Sequence, residues 1–256
     1  MNILHSRILG EGIPLIILHG YFGMGDNWKS HANKLAKDGF EVHLIDQRNH
    51  GRSFHSDRFD YDLMVEDLSV YLEYHKIEKL HLLGHSMGGK TAMLFATKNN
   101  ELVEKLVIAD ISPKNYPPHH NAILAALNSI DFTIQNSRKL VDQKLAELIR
   151  EVGVRQFLLK SLYWKEKGKL DFRFNLKSLT ENNNEVGAAL PSFNVFRGDT
   201  LFLSGENSEY ISKDDMPLIM THFPKSTIQV VKNSGHWLHA ENPDDFYKFL
   251  VEFIQS

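Results

Sequence analysis

The chain has 256 residues, 42% of them apolar and 24% charged, with a formal net charge of −3. That length suits one large domain or a core carrying an insertion, and it can bury its core without covalent staples. The absence of cysteine excludes disulfides, a thiol nucleophile and thiolate metal sites, and the small negative charge offers no basic field for nucleic acid.

Residues 1–12 alternate polar and apolar side chains and lack the apolar stretch of a secretory signal. The apolar run at 14–18 is far too short to span a membrane, and neither end carries a lipidation pattern, so a soluble cytoplasmic protein is expected. Residues 3–9 and 13–18 read as strands joined by a turn at Gly10-Glu11-Gly12. Trp28, Ala32, Leu35 and Ala36 recur at helical spacing over 28–38, and 41–45 is again a strand. A helix over 61–75 carries Leu63, Leu68 and Leu72 on one side; a strand at 79–83, a helix at 88–100 and a strand at 104–109 come next. This alternation predicts an α/β fold with a mostly parallel sheet and helices on both faces. In such sheets the reactive groups gather at the carboxyl ends of the strands.

The rhythm breaks after Asp110. Helical patterns dominate at 121–130, 137–152 and 154–162, the stretch 164–176 reads either way, with a hairpin about Gly168 as one solution, and 181–184 is loop-like. The α/β pattern then returns with strands at 199–203 and 227–231 and helices at 214–223 and 243–255. The expected organisation is therefore a core of residues 1–112 and 198–256 interrupted by a helical cap, 113–197. No internal repeat or low-complexity tract is visible. Residues 113–198 hold 13 basic and 8 acidic side chains, a local +5 against −8 for the remainder. Solvated helix faces are the plain reading of that excess, and a basic lid for an anionic substrate the sharper one.

The central chemical signal is Gly84-His85-Ser86-Met87-Gly88-Gly89, a Gly-x-Ser-x-Gly pattern that directly follows a strand and opens a helix. A tight strand-to-helix turn lifts the serine hydroxyl clear of the sheet, and glycines two residues either side let strand and helix approach closely. The pattern alone arises by chance in about one chain in ten of this length, and a helix-capping serine is the plain alternative. Partners decide the matter. Ser86 needs a general base, and His236, in Asn233-Ser234-Gly235-His236-Trp237 after the last strand, is placed to supply one. Of the 14 histidines, His50, His85, His239 and the pair His119-His120 are expected to be bystanders, and no helical His spacing or His–carboxylate cluster suggests zinc.

The acid that orients the histidine normally follows the penultimate strand, where this chain reads Gly205-Glu206-Asn207-Ser208. Asp110 ends the strand after the nucleophile's and can reach the same imidazole, so it is assigned over Glu206 and Glu209, with Ser208 as a fourth member bonding the pair. For the oxyanion, the Met87 amide opens the helix after Ser86, and the Tyr21 amide in His19-Gly20-Tyr21-Phe22-Gly23 is the second donor. Phe132, Phe157, Leu158, Leu162, Trp164 and Phe172 are candidates to line the pocket from the insertion.

These residues resemble the α/β-hydrolase superfamily over essentially the whole chain. The likeness includes His19-Gly20, Asp46 to Ser53, Gly84 to Gly89 and Gly235-His236-Trp237. A finer likeness is to the YbfF-type esterases, through His19 to Gly23, Asp46-x-Arg48-Asn49-His50-Gly51, Gly84 to Lys90, Asp110 to Pro113, Gln156 to Ser161, Asn207-Ser208 and Gly235 to Glu241. The resemblance implies a helical cap over the site, hydrolysis of acyl esters or thioesters, and a serine where the late acid usually stands, with the aspartate at the earlier strand end. Asp46, Arg48 and Asn49 are then expected to organise the loop beneath the site. The function expected is a cofactor-free, metal-free serine hydrolase of a small acyl ester or thioester, coenzyme A being the leaving group that a basic lid would favour. A homodimer is the one protein partner expected. Carbon–carbon bond hydrolysis, perhydrolysis and a non-catalytic binding protein on the same fold are the alternatives.

Overall fold

A computed structural model describes residues 2–118 and 120–256. Its first half alternates β1 (Ser6–Leu9), β2 (Ile13–Leu18), α1 (Lys29–Lys37), β3 (Phe40–Ile45), α2 (Tyr61–His75), β4 (Leu80–His85), α3 (Met87–Lys98) and β5 (Val103–Ala109). Seven strands form one sheet in the order β1-β3-β2-β4-β5-β8-β9, where β8 is Asp199–Gly205 and β9 is Ser226–Val231. Only β1 pairs antiparallel; the other contacts are parallel.

The central strands are apolar on both faces because helices cover both. Along β2, Ile16 and Leu18 join a cluster with Leu68 and Leu72 of α2 and Phe95 of α3, while Leu15 and Ile17 point the other way, to Leu35 of α1 and Phe246 and Leu250 of the final helix. That alternation is the two-residue repeat of a strand buried on both sides. The helices start where their side chains satisfy free amides: Asp60 accepts from Leu63 N at the head of α2, and Asn242 from Asp245 N ahead of the last helix. The strands carrying catalytic candidates, β4, β5 and β8, are adjacent, so their carboxyl ends open onto one place.

Between β5 and β8 the chain runs through α4 (Asn121–Asn128), α5 (Arg138–Leu145), α6 (Val152–Leu159), a hairpin of β6 (Leu162–Glu166) and β7 (Lys169–Phe172), and α7 (Leu176–Glu181). Two expectations are corrected here. The stretch 137–152 is not one helix: α5 stops at Leu145, and Arg155 of α6 donates to Asp142 and to the carbonyls of Ile149 and Arg150, turning the chain between the two helices. Nor is the segment purely helical, since 162–172 forms the hairpin, reversed at Gly168 with φ 80°. The two ends of this segment are tied together. Tyr116 N donates to Gly187 O, Leu190 N to Pro113 O, and the buried Lys90 ammonium of α3 to the carbonyls of Lys114 and Ala188. After β8 come α8 (Met216–His222), β9, α9 (Leu238–Glu241) and α10 (Pro243–Ile254).

Candidate active site

Ser86 stands between β4 and α3 with φ 53° and ψ −117°, a left-handed backbone that non-glycine residues rarely adopt. The turn is tight enough that a Cβ on Gly84 would lie 2.2 Å from Gly88 O, and one on Gly88 2.4 Å from Leu18 O. These two contacts are the local reason for the glycines around Ser86. Ser86 and His236 face the same cavity, of about 260 Å³.

His236, in the loop after β9, sets Nδ1 2.8 Å from Asp110 Oδ2. Asp110, at the end of β5 with φ 51°, is fully buried. Its carboxylate also accepts from Gly205 N at 3.0 Å and Ser208 Oγ at 2.5 Å. Three donors therefore converge on one buried carboxylate, which keeps Nδ1–H directed at it and leaves the Nε2 lone pair for the substrate side. Glu206 is elsewhere: it pairs with Lys232 at 2.7 Å and accepts from Asn233 N at 2.9 Å, hydrogen bonds that hold its carboxyl below the usual range. Among the described residues, no carboxylate but Asp110 is hydrogen-bonded to His236.

The loop 19–23 passes over the nucleophile turn. Neither the Tyr21 nor the Met87 amide has a hydrogen-bond partner among the described residues. Buried imidazoles fix the loop. His19 Nδ1 donates to Gly20 O, and its Nε2 accepts from Gln47 N. His50 Nδ1 donates to Arg48 O, and its Nε2 accepts from Phe22 N at 3.2 Å. Burial lowers His19 to about 4 and His50 to about 3, so both stay neutral and keep one nitrogen as acceptor. Asp46, Arg48 and Asn49 lie in the scaffold beneath. Asp46 accepts from Gly25 N and Arg52 N, Arg48 grips Asp67 with two hydrogen bonds, and Asn49 reaches Ser178 of α7.

Several histidines expected to be bystanders surround the site. His85 donates Nε2–H to His236 O at 2.8 Å, and burial lowers it to about 3. His239 stacks on Trp28 at 4.1 Å; burial first, then its histidine neighbours, hold it well below the ordinary imidazole range. His85, His239 and His120 all line the cavity, whereas His119 lies outside the described residues. Of the six residues expected to line the pocket from the insertion, Phe157 and Leu158 do so, joined by Ile123 and Val154. Phe132 and Phe172 line a different cavity, beside the hairpin, Leu162 packs against the core, and Trp164 is 59% exposed. Tyr210, which no sequence pattern had singled out, stacks on His236. Among the described residues, no three His, Asp or Glu side chains are grouped to hold a metal ion, and no helix is long and apolar enough to cross a membrane.

Residues 13–243 match the family described as alpha/beta hydrolase fold. The chain is 40% identical over 254 residues to the Danio rerio protein named sn-1-specific diacylglycerol lipase ABHD11, covering 96% of this chain and 80% of that one. It is 33% identical over 244 residues to esterase YbfF of Escherichia coli strain K12, covering 95% and 93% respectively. A solved structure described as a marine microorganism esterase superposes with a TM-score of 0.95 at 42% identity, covering 99% of this chain and 100% of that one. With its parallel sheet, its serine turn and a family match over most of its length, the chain belongs to the α/β-hydrolase fold family.

Proposed function

We propose that this ester hydrolase works through an acyl-enzyme on Ser86, with His236 as base and then acid and Asp110 as its orienting partner. The observation that carries the reading is the placement of Ser86, on a strained turn, in one cavity with an imidazole whose Nδ1 is 2.8 Å from a fully buried carboxylate. Ser86 Oγ attacks the ester carbonyl while His236 Nε2 takes its proton. The oxyanion that forms is met by the Tyr21 and Met87 amides, two donors without a partner among the described residues. The proton on His236 then goes to the leaving alcohol, and water, deprotonated by the same imidazole, releases the acid. Ser208 holds the Asp110 carboxylate in place through its 2.5 Å hydrogen bond.

Residues 113–197 act in this reading as a cap on the core formed by 1–112 and 198–256. Ile123, Val154, Phe157 and Leu158 bring apolar walls to the cavity, which favours an acyl group without charge. At about 260 Å³ the space is below that of a typical drug-sized pocket, so the substrate is a small neutral ester rather than a lipid with two long chains. A thioester would be cleaved by the same groups. Its support is the local +5 of the insertion, and that support is thin: Lys114, Lys144, Arg155 and Lys165 are each paired with a carboxylate, and no Lys or Arg among the described residues lines the catalytic cavity. We infer a cytoplasmic homodimer as its setting, which fractionation and light scattering test.

The deciding experiment is a panel of p-nitrophenyl esters and acyl-coenzyme A thioesters of two to twelve carbons, with Ser86→Ala as control. Short esters turned over by the wild type and not by the variant support the reading. Turnover of thioesters alone would replace the substrate class, and an inactive wild type would leave carbon–carbon hydrolysis or binding as the function.

A further inference from the structure

The phenol ring of Tyr210 lies parallel on the imidazole of His236, with centroids 3.9 Å apart and planes 17° from each other. The residue sits in the loop after β8, and its backbone is held at both ends. Tyr210 N donates to Ser208 Oγ, the same hydroxyl that bonds Asp110. Tyr210 O accepts from the hydroxyl of Tyr116, which itself accepts from Ser112 N. Tyr116 belongs to the junction where the insertion leaves the core, through its backbone bond to Gly187 and its ring beneath the Lys90 ammonium. The ring on His236 is thus fixed by the Asp110 loop on one side and by the root of the insertion on the other.

We propose that Tyr210 is a positioning residue for His236: its ring holds the imidazole against Asp110, and its electron-rich face stabilises the imidazolium that forms when Ser86 gives up its proton. The proposal rests on the Ser86–His236 mechanism. A cation over an aromatic face is attracted by the ring's quadrupole, more strongly where water is excluded, and His236 is only 18% exposed. During turnover the charge appears when the proton moves from Ser86 Oγ to Nε2 and is gone once the leaving oxygen takes it, so the attraction favours the transition states; the same attraction acts on an imidazolium formed by acid, which is what the pH profile reads. Of the neighbouring titratable groups, Asp110 also favours the imidazolium, through Nδ1, and the others do not: His85, its ring 4.8 Å from that of His236, and His239 are held neutral, Lys160 acts on His239 as a further positive charge, and His120 lines the same cavity.

The test compares Tyr210→Phe, which keeps the aromatic face, with Tyr210→Leu, which keeps apolar bulk and loses it. Each is assayed for kcat and kcat/KM on a short p-nitrophenyl ester from pH 5 to 9, with a thermal melt to check folding. Tyr210→Phe is expected within about twofold of wild type. Tyr210→Leu is expected to lose about 3- to 30-fold in kcat, with the acidic limb of its profile moved to lower pH by about half a unit. Tyr116→Phe, which frees the Tyr210 carbonyl and leaves the ring, should reproduce part of the loss in kcat. A Tyr210→Leu enzyme that folds and keeps the wild-type limb overturns the proposal, as does a Tyr210→Phe enzyme as impaired as Tyr210→Leu. If Ser86→Ala remains active, the triad reading fails instead, and the two failures are told apart.

Discussion

Replacing Asp110 by asparagine changes one oxygen and one charge, and the local hydrogen bonds set the consequence. Asp110 accepts from three donors: His236 Nδ1, Ser208 Oγ and Gly205 N. The amide oxygen of asparagine can serve Gly205 N, on the Oδ1 side, or His236 and Ser208, which share the Oδ2 side, but its NH2 must then face a donor on the other side. If the NH2 faces His236, Nδ1 becomes the acceptor, the proton moves to Nε2, and the imidazole can no longer take the Ser86 proton. The negative charge that would balance the imidazolium is lost as well, at a site with no exposure to water. In comparable triads the same exchange costs about 10⁴ in kcat, or about 5.4 kcal/mol of barrier. We expect Asp110→Asn to lose about 10³- to 10⁴-fold in kcat on p-nitrophenyl butyrate, with KM little changed. The Glu206→Gln control should stay within about twofold, because that carboxylate faces Lys232 and solvent. Thermal melts confirm that both variants fold. An Asp110→Asn enzyme within tenfold of wild type would refute the assignment.

The same structure predicts three further outcomes. His19, His50 and His85 are buried and neutral, with values lowered to about 4, 3 and 3 by burial. Below about pH 6.5 the unfolded chain binds protons that the folded one refuses, so stability falls with pH by about 1.4 kcal/mol per unit for each until its folded value is reached. Urea unfolding at pH 7.5 and pH 5 reads this, and equal midpoints would show that these imidazoles are protonated in the fold. Gly88→Ala puts a Cβ 2.4 Å from Leu18 O and 2.6 Å from His19 O, both backbone atoms that cannot step aside; it should cost about 1–3 kcal/mol and nearly all activity, as a melt and an ester assay together would show. Asn49→Ala removes its side-chain bonds with Ser178 and Asn175, across to the segment after β5, and the bond it accepts from Ser56 N within its own loop. We expect about 1–3 kcal/mol lower stability with a smaller change in kcat, and an unchanged melt would mean that those bonds carry no net weight.

What the sequence revealed was local. The serine turn, the strand end at Asp110 and the Gly-His loop at His236 are short patterns whose geometry is set by neighbours in the chain, and the structure brings Ser86 and His236 to one cavity, with the buried Asp110 bonded to the imidazole. The sheet was legible in the alternation of strands and helices for the same reason, since the apolar runs of its central strands are buried on both faces. The insertion was harder to read. Residues 137–152 have a helical pattern, yet α5 stops at Leu145, and Arg155 of the following helix takes the carbonyls of Ile149 and Arg150 in the turn beyond it. Which apolar side chains reach the cavity depends on how α4 and α6 are laid over the core, so Phe157 was legible and Ile123 was not. Tyr210 had no motif to announce it, because its role comes from a stack on a residue 26 positions away in the chain. The histidines were judged singly, whereas burial makes them a group of neutral hydrogen-bonding struts around the nucleophile.

Reaction with a fluorophosphonate, read by intact-mass and peptide mass spectrometry, tests the serine nucleophile most directly. One adduct per chain is predicted, on the peptide carrying Ser86, formed more slowly as His236 becomes protonated, and absent along with esterase activity in Ser86→Ala. An adduct on another residue, or a Ser86→Ala protein that still hydrolyses esters, would contradict it.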